Sequence, residues 1–559
     1  MSELSRELKL DPALAAQDGS ANGQPPALRP DVAATSDEYE NRQTYLQGAR
    51  LHLTTAALSL CLFLTNLEIP IVVTALVDIT NQLGGFSESN WVVSAYLLGY
   101  AGILIIVAKL SDIFGRKPVL LVMVLVFVVF SGACGASQSI RQLIIFRSFQ
   151  GIGGAGNYAV SMVVILELVP SHKYAMYTSA ISIVYSLSLL LGPILGGAIA
   201  ERSAWRWIFL LNVPAGLVVV VVIFFSIPNG FPHHAKPPHE RPNLGRVFSS
   251  DSIKRLDHLG TALLLLATVF LVSALEEAGK HYPWKSAFII TFLIISGLSW
   301  IAFFIWERRV TLQGNVREPV FPWRFVQSRV WIGMLLNALF LGAPWFCAAF
   351  QLPQRLQIVN SLSPLDAGVR FIPFTLAAPL GTAFAPIVAK MAKIPPIYLV
   401  LLAAILQVVG LALISTLPNT REVIPAQYGY EIIAGFGCGI NITLLLLMAP
   451  FSVQERDKAV AMGSVAQFRV MGGAIGLAII TAAFNGLVMQ RLSNFLSNDQ
   501  LSELLLYPGT ITSYPSPIQD AIRNTFADGY TLQIKILAGL AAGQIPATLL
   551  MWQKNQIMV

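Results

Sequence analysis

Residues 108–123 read AKLSDIFGRKPVLLVM, which crowds Lys109, Asp112, Arg116 and Lys117 into one short turn. The runs that enter and leave it, SAYLLGYAGILIIVA (94–108) and VLLVMVLVFVVFSGACG (119–135), carry no charge. The hydrocarbon core of a bilayer is about 30 Å thick and takes roughly 20 apolar residues as a helix. The charged turn therefore reads as a connection between two spans. The rest of the chain repeats this contrast. It has 559 residues, 55% hydrophobic and 12% charged, with a mean hydropathy of +0.64. A soluble chain carries about a quarter charged residues. The 42 glycines and 32 prolines suit closely packed membrane helices. The fold class expected is an all-α polytopic membrane protein.

Apolar windows of about 19 residues centre near about 64, 101, 127, 155, 187, 217, 267, 295, 341, 379, 406, 438, 474 and 541, or about fourteen spans. Basic residues collect in the even-numbered connections: Lys109, Arg116 and Lys117; Lys173; Lys236, Arg241, Arg246, Lys254 and Arg255; Arg308, Arg309, Arg317, Arg324 and Arg329; Lys390 and Lys393; Arg456 and Lys458. The opposite connections are poorer, with Arg202, Arg206, Lys280 and Lys285 as the exceptions. Positive charge marks the cytoplasmic side, so both termini and the opening turn are expected there. The net charge of +7 then reports topology rather than nucleic-acid affinity.

The first fifty residues are polar and lack an apolar signal core, so the first span is expected to direct insertion and the tail to stay disordered. The expected organisation is a tail over 1–50, six spans over 51–227, cytoplasmic loops with two inserted spans over 228–329, six spans over 330–552 and a short tail over 553–559. Two similar bundles of six are a plan that many secondary transporters follow. Cys61, Cys134, Cys347 and Cys438 fall inside spans without metal-type spacing and read as small buried apolar residues. No phosphate-binding G-x-x-x-x-G-K-[ST], H-E-x-x-H or G-x-S-x-G occurs. Neither an enzyme nor an ATP-driven pump has a motif behind it, and no cofactor or metal is expected.

The opening turn resembles the loop between the second and third spans of the major facilitator superfamily, with Leu110, Asp112, Gly115, Arg116 and Lys117 matching and Ala108 and Ile113 departing. Gly115 suits a tight turn. Asp112 suits the N–H groups of a helix start, and Arg116 an acid across the bundle. The resemblance implies a latch on the cytoplasmic face. RQLIIFRSFQGIGGAG (141–156) resembles the fourth-span motif of the same superfamily and puts Arg147 inside an apolar segment, beside Gln150 and Gly151. Such a charge is expensive in a membrane and faces the protein interior. GPILGG supplies Gly192, Pro193, Gly196 and Gly197 of a signature that implies antiport. The following AWRWIFLLNVPAG (204–216) is similar to a motif of the fourteen-spanner drug:proton antiporters, as used by fungal toxin and multidrug efflux pumps. The stretch ending in Phe468, Arg469, Gly472 and Gly473, with Asp457 before it, resembles their thirteenth span.

This resemblance implies a secondary exporter of small hydrophobic or amphipathic organics that exchanges them for protons. Its partners would be protons, an organic substrate and the lipid bilayer. It would work as a monomer at the cell or vacuolar membrane. An importer or iron-chelate carrier and a non-transporting sensor are the alternatives. Proton coupling is expected at Glu68, Arg147 and Arg469, with Asp78 a weaker acid and Glu431 a possible counterpart for Arg469. Glu68 stands where the family carries Asp, and Glu167 where relatives carry Asp. A cavity for an apolar compound wants aromatic faces and a few polar handles. Trp91, Tyr96, Tyr100, Gln150, Tyr185, Asn337, Phe350, Gln351 and Gln467 are the expected lining. Trp205 and Trp207 are expected at the membrane interface.

Overall fold

The computed structural model describes residues 45–558 apart from 85–88, 171–172, 201–204, 233–253, 279–281, 314–316, 455–456, 494, 498–499, 502, 505–510 and 512. The expected N-terminal tail therefore lies outside the described residues as far as 44, as does the basic loop over 233–253 and Lys280. Among the described residues, fourteen helices are long and apolar enough to cross a membrane. They are α1 (Gly48–Leu83), α2 (Ser89–Phe114), α3 (Arg116–Ala136), α4 (Ile140–Glu167), α5 (Tyr174–Ala200), α6 (Arg206–Leu210 and Asn212–Ser226), α7 (His258–Glu277) and α8 (Ala287–Gln313). After a one-turn helix (Trp323–Gln327) come α9 (Arg329–Ile358), α10 (Pro364–Arg370 and Ile372–Met391), α11 (Pro396–Ile414), α12 (Ala426–Met448), α13 (Lys458–Leu492) and α14 (Ser516–Ala542 and Gln544–Leu550).

Local chemistry explains several boundaries. Ser139, Asp257 and Ser328 cap α4, α7 and α9 by accepting from the backbone N–H three residues on. Gly115 sits at φ +92°, in the left-handed region open to glycine, so α2 can end and α3 begin one residue later. Pro70, Pro344 and Pro379 lie within helices that continue past them. Neighbouring helices make this tolerable in a membrane.

The packing repeats with an offset of eight helices. The pairs α1–α5, α2–α4, α3–α4, α3–α6 and α1–α6 recur as α9–α13, α10–α12, α11–α12, α11–α14 and α9–α14. The two bundles meet through α2–α13 and its counterpart α5–α10. The inserted pair α7–α8 packs on itself, with α7 against α2 and α13. Two six-helix bundles with an inserted pair is thus the observed fold.

Lipid tails are as apolar as leucine, so helices associate in a bilayer through close van der Waals contact and polar bonds. Both devices are present. A Cβ built on Gly472 would lie 1.8 Å from the Leu339 carbonyl oxygen. On Gly342 it would lie 1.9 Å from that of Arg469, and on Gly151 2.2 Å from that of Tyr96. Backbones therefore touch where α9 crosses α13 and α2 crosses α4. In the second bundle a chain of buried amides joins four helices. Asn337 donates to Thr548 Oγ1 at 2.7 Å, and Asn441 donates to Asn337 Oδ1 at 3.0 Å and also to Gln544. Gln544 and Gln407 exchange hydrogen bonds at 3.0 and 3.2 Å. Outward, Ile290, Ile294, Leu298, Ile301 and Ile305 form an exposed apolar stripe along α8, a face made for lipid.

Trp205 departs from expectation. It is fully buried, its ring edge-on to Phe209 and its Nε1 donating to Gln82 at 2.9 Å, whereas Trp207 is exposed. At the start of α6, Trp205 points into the bundle, where its N–H finds an amide oxygen.

Candidate functional site

Glu68 on α1 and Arg147 on α4 form an ion pair at 2.5 Å, with side chains 1% and 0% exposed. Asn212, at the start of the long piece of α6, donates to the other carboxylate oxygen. The guanidinium also donates from Nε to the Val92 carbonyl at 3.0 Å and from Nη1 to Gln150 Oε1 at 2.8 Å. Gln150 Nε2 in turn donates to Ser131 at 2.7 Å. The plane of Arg147 lies over the Tyr96 ring at 4.4 Å and near Phe209 at 5.6 Å. Its Nη2 has no partner among the described residues. Five helices thus supply the groups around one buried pair.

From this pair a row of rings crosses the protein. Tyr96, whose hydroxyl donates to the Thr65 carbonyl at 3.0 Å, stacks with Tyr100 at 6.0 Å, and Tyr100 meets Tyr158 at 6.3 Å. The Tyr158 hydroxyl accepts from Arg469 Nη2 on α13 at 2.9 Å. Tyr185 on α5 accepts from Trp345 Nε1 on α9 at 3.0 Å, and Trp345 stacks on Phe374 at 6.0 Å. Gln467 Oε1 accepts from the Ile105 backbone at 3.2 Å. Aromatic groups of both bundles therefore meet around Arg469. Glu431 does not pair with Arg469. It accepts from Gln427 one helical turn away at 2.8 Å, and among the described residues Arg469 meets no carboxylate.

The charged turn is a second network. Arg116 donates to Asp112 at 2.5 Å, to Ser111 at 2.8 Å and through Nε and Nη2 to Glu167 at 3.0 and 2.8 Å. Asp112 accepts from this side chain rather than from a helix-start N–H, and its Oδ2 has no partner among the described residues. Arg116, one helical turn on, occupies the carboxylate in place of the expected backbone N–H groups. Lys117 donates to the carbonyls of Phe224 and Ile227 at 2.7 Å, closing the end of α6. Lys109 pairs with Glu318 at 2.6 Å. Glu318 is half-buried. Burial pushes its carboxyl up, but Lys109 and Arg255 outweigh this and hold it below the ordinary range. Glu167 and Arg147 are twenty residues apart on α4, so the two networks sit about 30 Å apart along one rod.

The other expected site residues scatter. Gly192 packs against the Pro70 ring and Gly196 is buried; the surroundings of Pro193, Gly197 and Asp78 are not among those described. Asn337 bonds within the second bundle, Gln351 is buried, and Trp91 and Phe350 are half-buried. Gln150 serves the ion pair. Sequence reasoning missed Asn212, although it stands inside a quoted motif, and Glu318. Among the described residues no group of three or more His, Cys, Asp or Glu side chains is placed to hold a metal.

A family model described as Major Facilitator Superfamily matches residues 58–477. The chain is 41% identical to the MFS-type transporter FPY5 of Fusarium mangiferae over 524 residues, which cover 94% of this chain and 87% of that one. It is 30% identical to the MFS-type efflux pump LUC4 of a Fusarium species, over 91% and 85% of the two chains. In fold it is similar to the human organic anion transporter MFSD10, with a TM-score of 0.56 at 16% identity, over 90% of this chain and 100% of that one.

Proposed function

The chain belongs to the Major Facilitator Superfamily, and from that premise we propose that it exports small hydrophobic or amphipathic organic compounds in exchange for protons. The LUC4 relative is an efflux pump by name, which supports the direction. The observation that carries the coupling is the Glu68–Arg147 pair, joined through Tyr96, Tyr100 and Tyr158 to Arg469 in the other bundle.

Antiport requires that proton and substrate alternate on coupled groups. Protonating Glu68 removes the charge that holds Arg147 at 2.5 Å and leaves the guanidinium to Gln150, Val92 and the Tyr96 ring. Tyr96 and Tyr100 move with that ring contact, so the change reaches the aromatic meeting point of the bundles. A substrate seated among Tyr100, Tyr185, Trp345 and Phe374 would feel it and, reciprocally, favour one protonation state of Glu68. No covalent step is involved. Contacts between Ile105 and Gln467, Ser179 and Thr382, and Tyr174 and Phe451 bring the bundles together toward the end that carries the charged turn. With that end and both termini cytoplasmic, in the cell membrane, this arrangement is closed inward, and Asp112, Gly115, Arg116 and Lys117 act as the inner gate.

Glu68→Gln tests the reading. In inverted membrane vesicles given an imposed pH gradient, the variant should reach the membrane yet lose proton-driven uptake of a fluorescent amphipathic dye. Uptake equal to wild type and still collapsed by a protonophore would overturn it.

A further inference from the structure

Glu307, near the end of α8, is fully buried; among the described residues no side chain bonds to its carboxylate, and the backbone N–H groups of Val320 and Phe321 face it. It faces Asp257, the buried N-cap of α7. Asp257 Oδ1 accepts from Gly260 N at 3.0 Å and from Trp306 Nε1 at 2.8 Å, while its Oδ2 is unpartnered among the described residues. Asp257 Oδ2 and Glu307 Oε1 converge over Gly260. A Cβ built there would lie 2.4 Å from Asp257 Oδ2 and 2.7 Å from Glu307 Oε1. They are thus no more than about 5 Å apart, near enough for two like charges to disfavour one another.

The neighbouring cations make their bonds elsewhere, with Lys109 alone among them acting on Glu307 through its charge. Lys109 at the end of α2 and Arg255 ahead of α7 both bond to Glu318. On α8 and after it, Arg308 and Arg317 turn to the rings of Trp323 and Trp306. We propose that Asp257 and Glu307 form a carboxyl–carboxylate pair that binds one proton and locks the inserted helices at the end of the protein carrying the charged turn. The proton comes from water, and the O–H of one group donates to the other, so no heavy-atom bond changes. The lock is transmitted, because the Glu318 backbone N–H donates to the Arg255 carbonyl at 2.9 Å and the Glu318 side chain holds Lys109 of α2. The site lies at the opposite end of the spans from Glu68 and is independent of the coupling reading.

The test is thermal unfolding of the purified full-length protein in detergent, at about pH 6 and about pH 9, for wild type, Glu307→Gln, Asp257→Asn and the double variant. A proton bound in the folded state and absent from the unfolded one makes stability fall as pH rises. The wild-type midpoint should therefore drop by several degrees more than that of either amide variant. An amide can still donate to the remaining carboxylate, and the double variant, free of charge, covers the case in which a single one fails to accumulate. An infrared band of a protonated carboxyl group should be present in wild type at neutral pH and reduced in Glu307→Gln. Equal pH dependence in wild type and variants, or an unchanged band, would overturn the proposal. So would recovery of the wild-type midpoint at high pH by sodium chloride and not by choline chloride, since the pair would then hold a metal cation.

Discussion

Replacing Arg147 by lysine keeps the charge and removes the fork, so it isolates what the guanidinium geometry contributes. An ammonium can still reach Glu68. It cannot at the same time serve the Val92 carbonyl, 3.0 Å from Nε, or lie flat over the Tyr96 ring at 4.4 Å. A hydrogen bond from a charged donor contributes about 1.5–3 kcal/mol, and a desolvated cation–ring contact about 2 kcal/mol. Arg147→Lys should therefore lose about 3–5 kcal/mol. Unfolding entropy is about 2.1 cal/mol/K per residue, which over 559 residues makes each kcal/mol worth about 1 °C in the midpoint. A drop of about 3–5 °C is expected for the purified protein in detergent, together with weakened export, because the Tyr96–Tyr100 row loses its anchor. A lysine variant that unfolds within about 1 °C of wild type and exports normally would refute the assignment of the fork to this role.

Two other outcomes follow from the packing and the charges. Gly472→Ala places a methyl group 1.8 Å from the Leu339 carbonyl oxygen and should cost about 1–3 kcal/mol with a loss of folded yield. Gly297→Ala on α8, with nothing within 4 Å of the new carbon, should be neutral by the same size-exclusion assay, and equal behaviour of the two would discredit the close-contact account. The lowered carboxyl of Glu318 stabilises the fold above its unfolded value of about 4.3, and that contribution is lost as pH falls through the lower folded value. Glu318→Gln should accordingly flatten the acid limb of a stability profile below about pH 5, by less than about 1 kcal/mol for a partly exposed pair. Superimposable profiles would remove that role.

The spans and the charged turn were legible because their physics is local: about 20 apolar residues either cross a bilayer or they do not, and charges inside such a run stand out. That is why Glu68 and Arg147 could be singled out before any partner was visible. Partner choice was less legible. Arg469 and Glu431 look like a matched pair along the chain, yet α12 and α13 present them to different neighbours, so one meets a tyrosine and the other a glutamine. Asn212 lies 144 residues from Glu68, and only the packing of α1 against α6 joins them. Asp257 and Glu307 escaped notice because each sits where a span gives way to a charged loop, and burial there depends on how the inserted helices lean together. Trp205 was misplaced for a related reason, since two tryptophans two residues apart at the start of a helix point to different surroundings.

The amide chain of Asn337, Gln407, Asn441 and Gln544 bears on the order of events during synthesis. Three of its members enter the bilayer on α9, α11 and α12, but the group that completes it arrives on the final helix, after Ala542. Until the ribosome has delivered that last stretch, three amides wait in hydrocarbon without their shared partner. The second bundle is then a structure that closes late, and a chain cut short ahead of Gln544 carries its own mark for quality control.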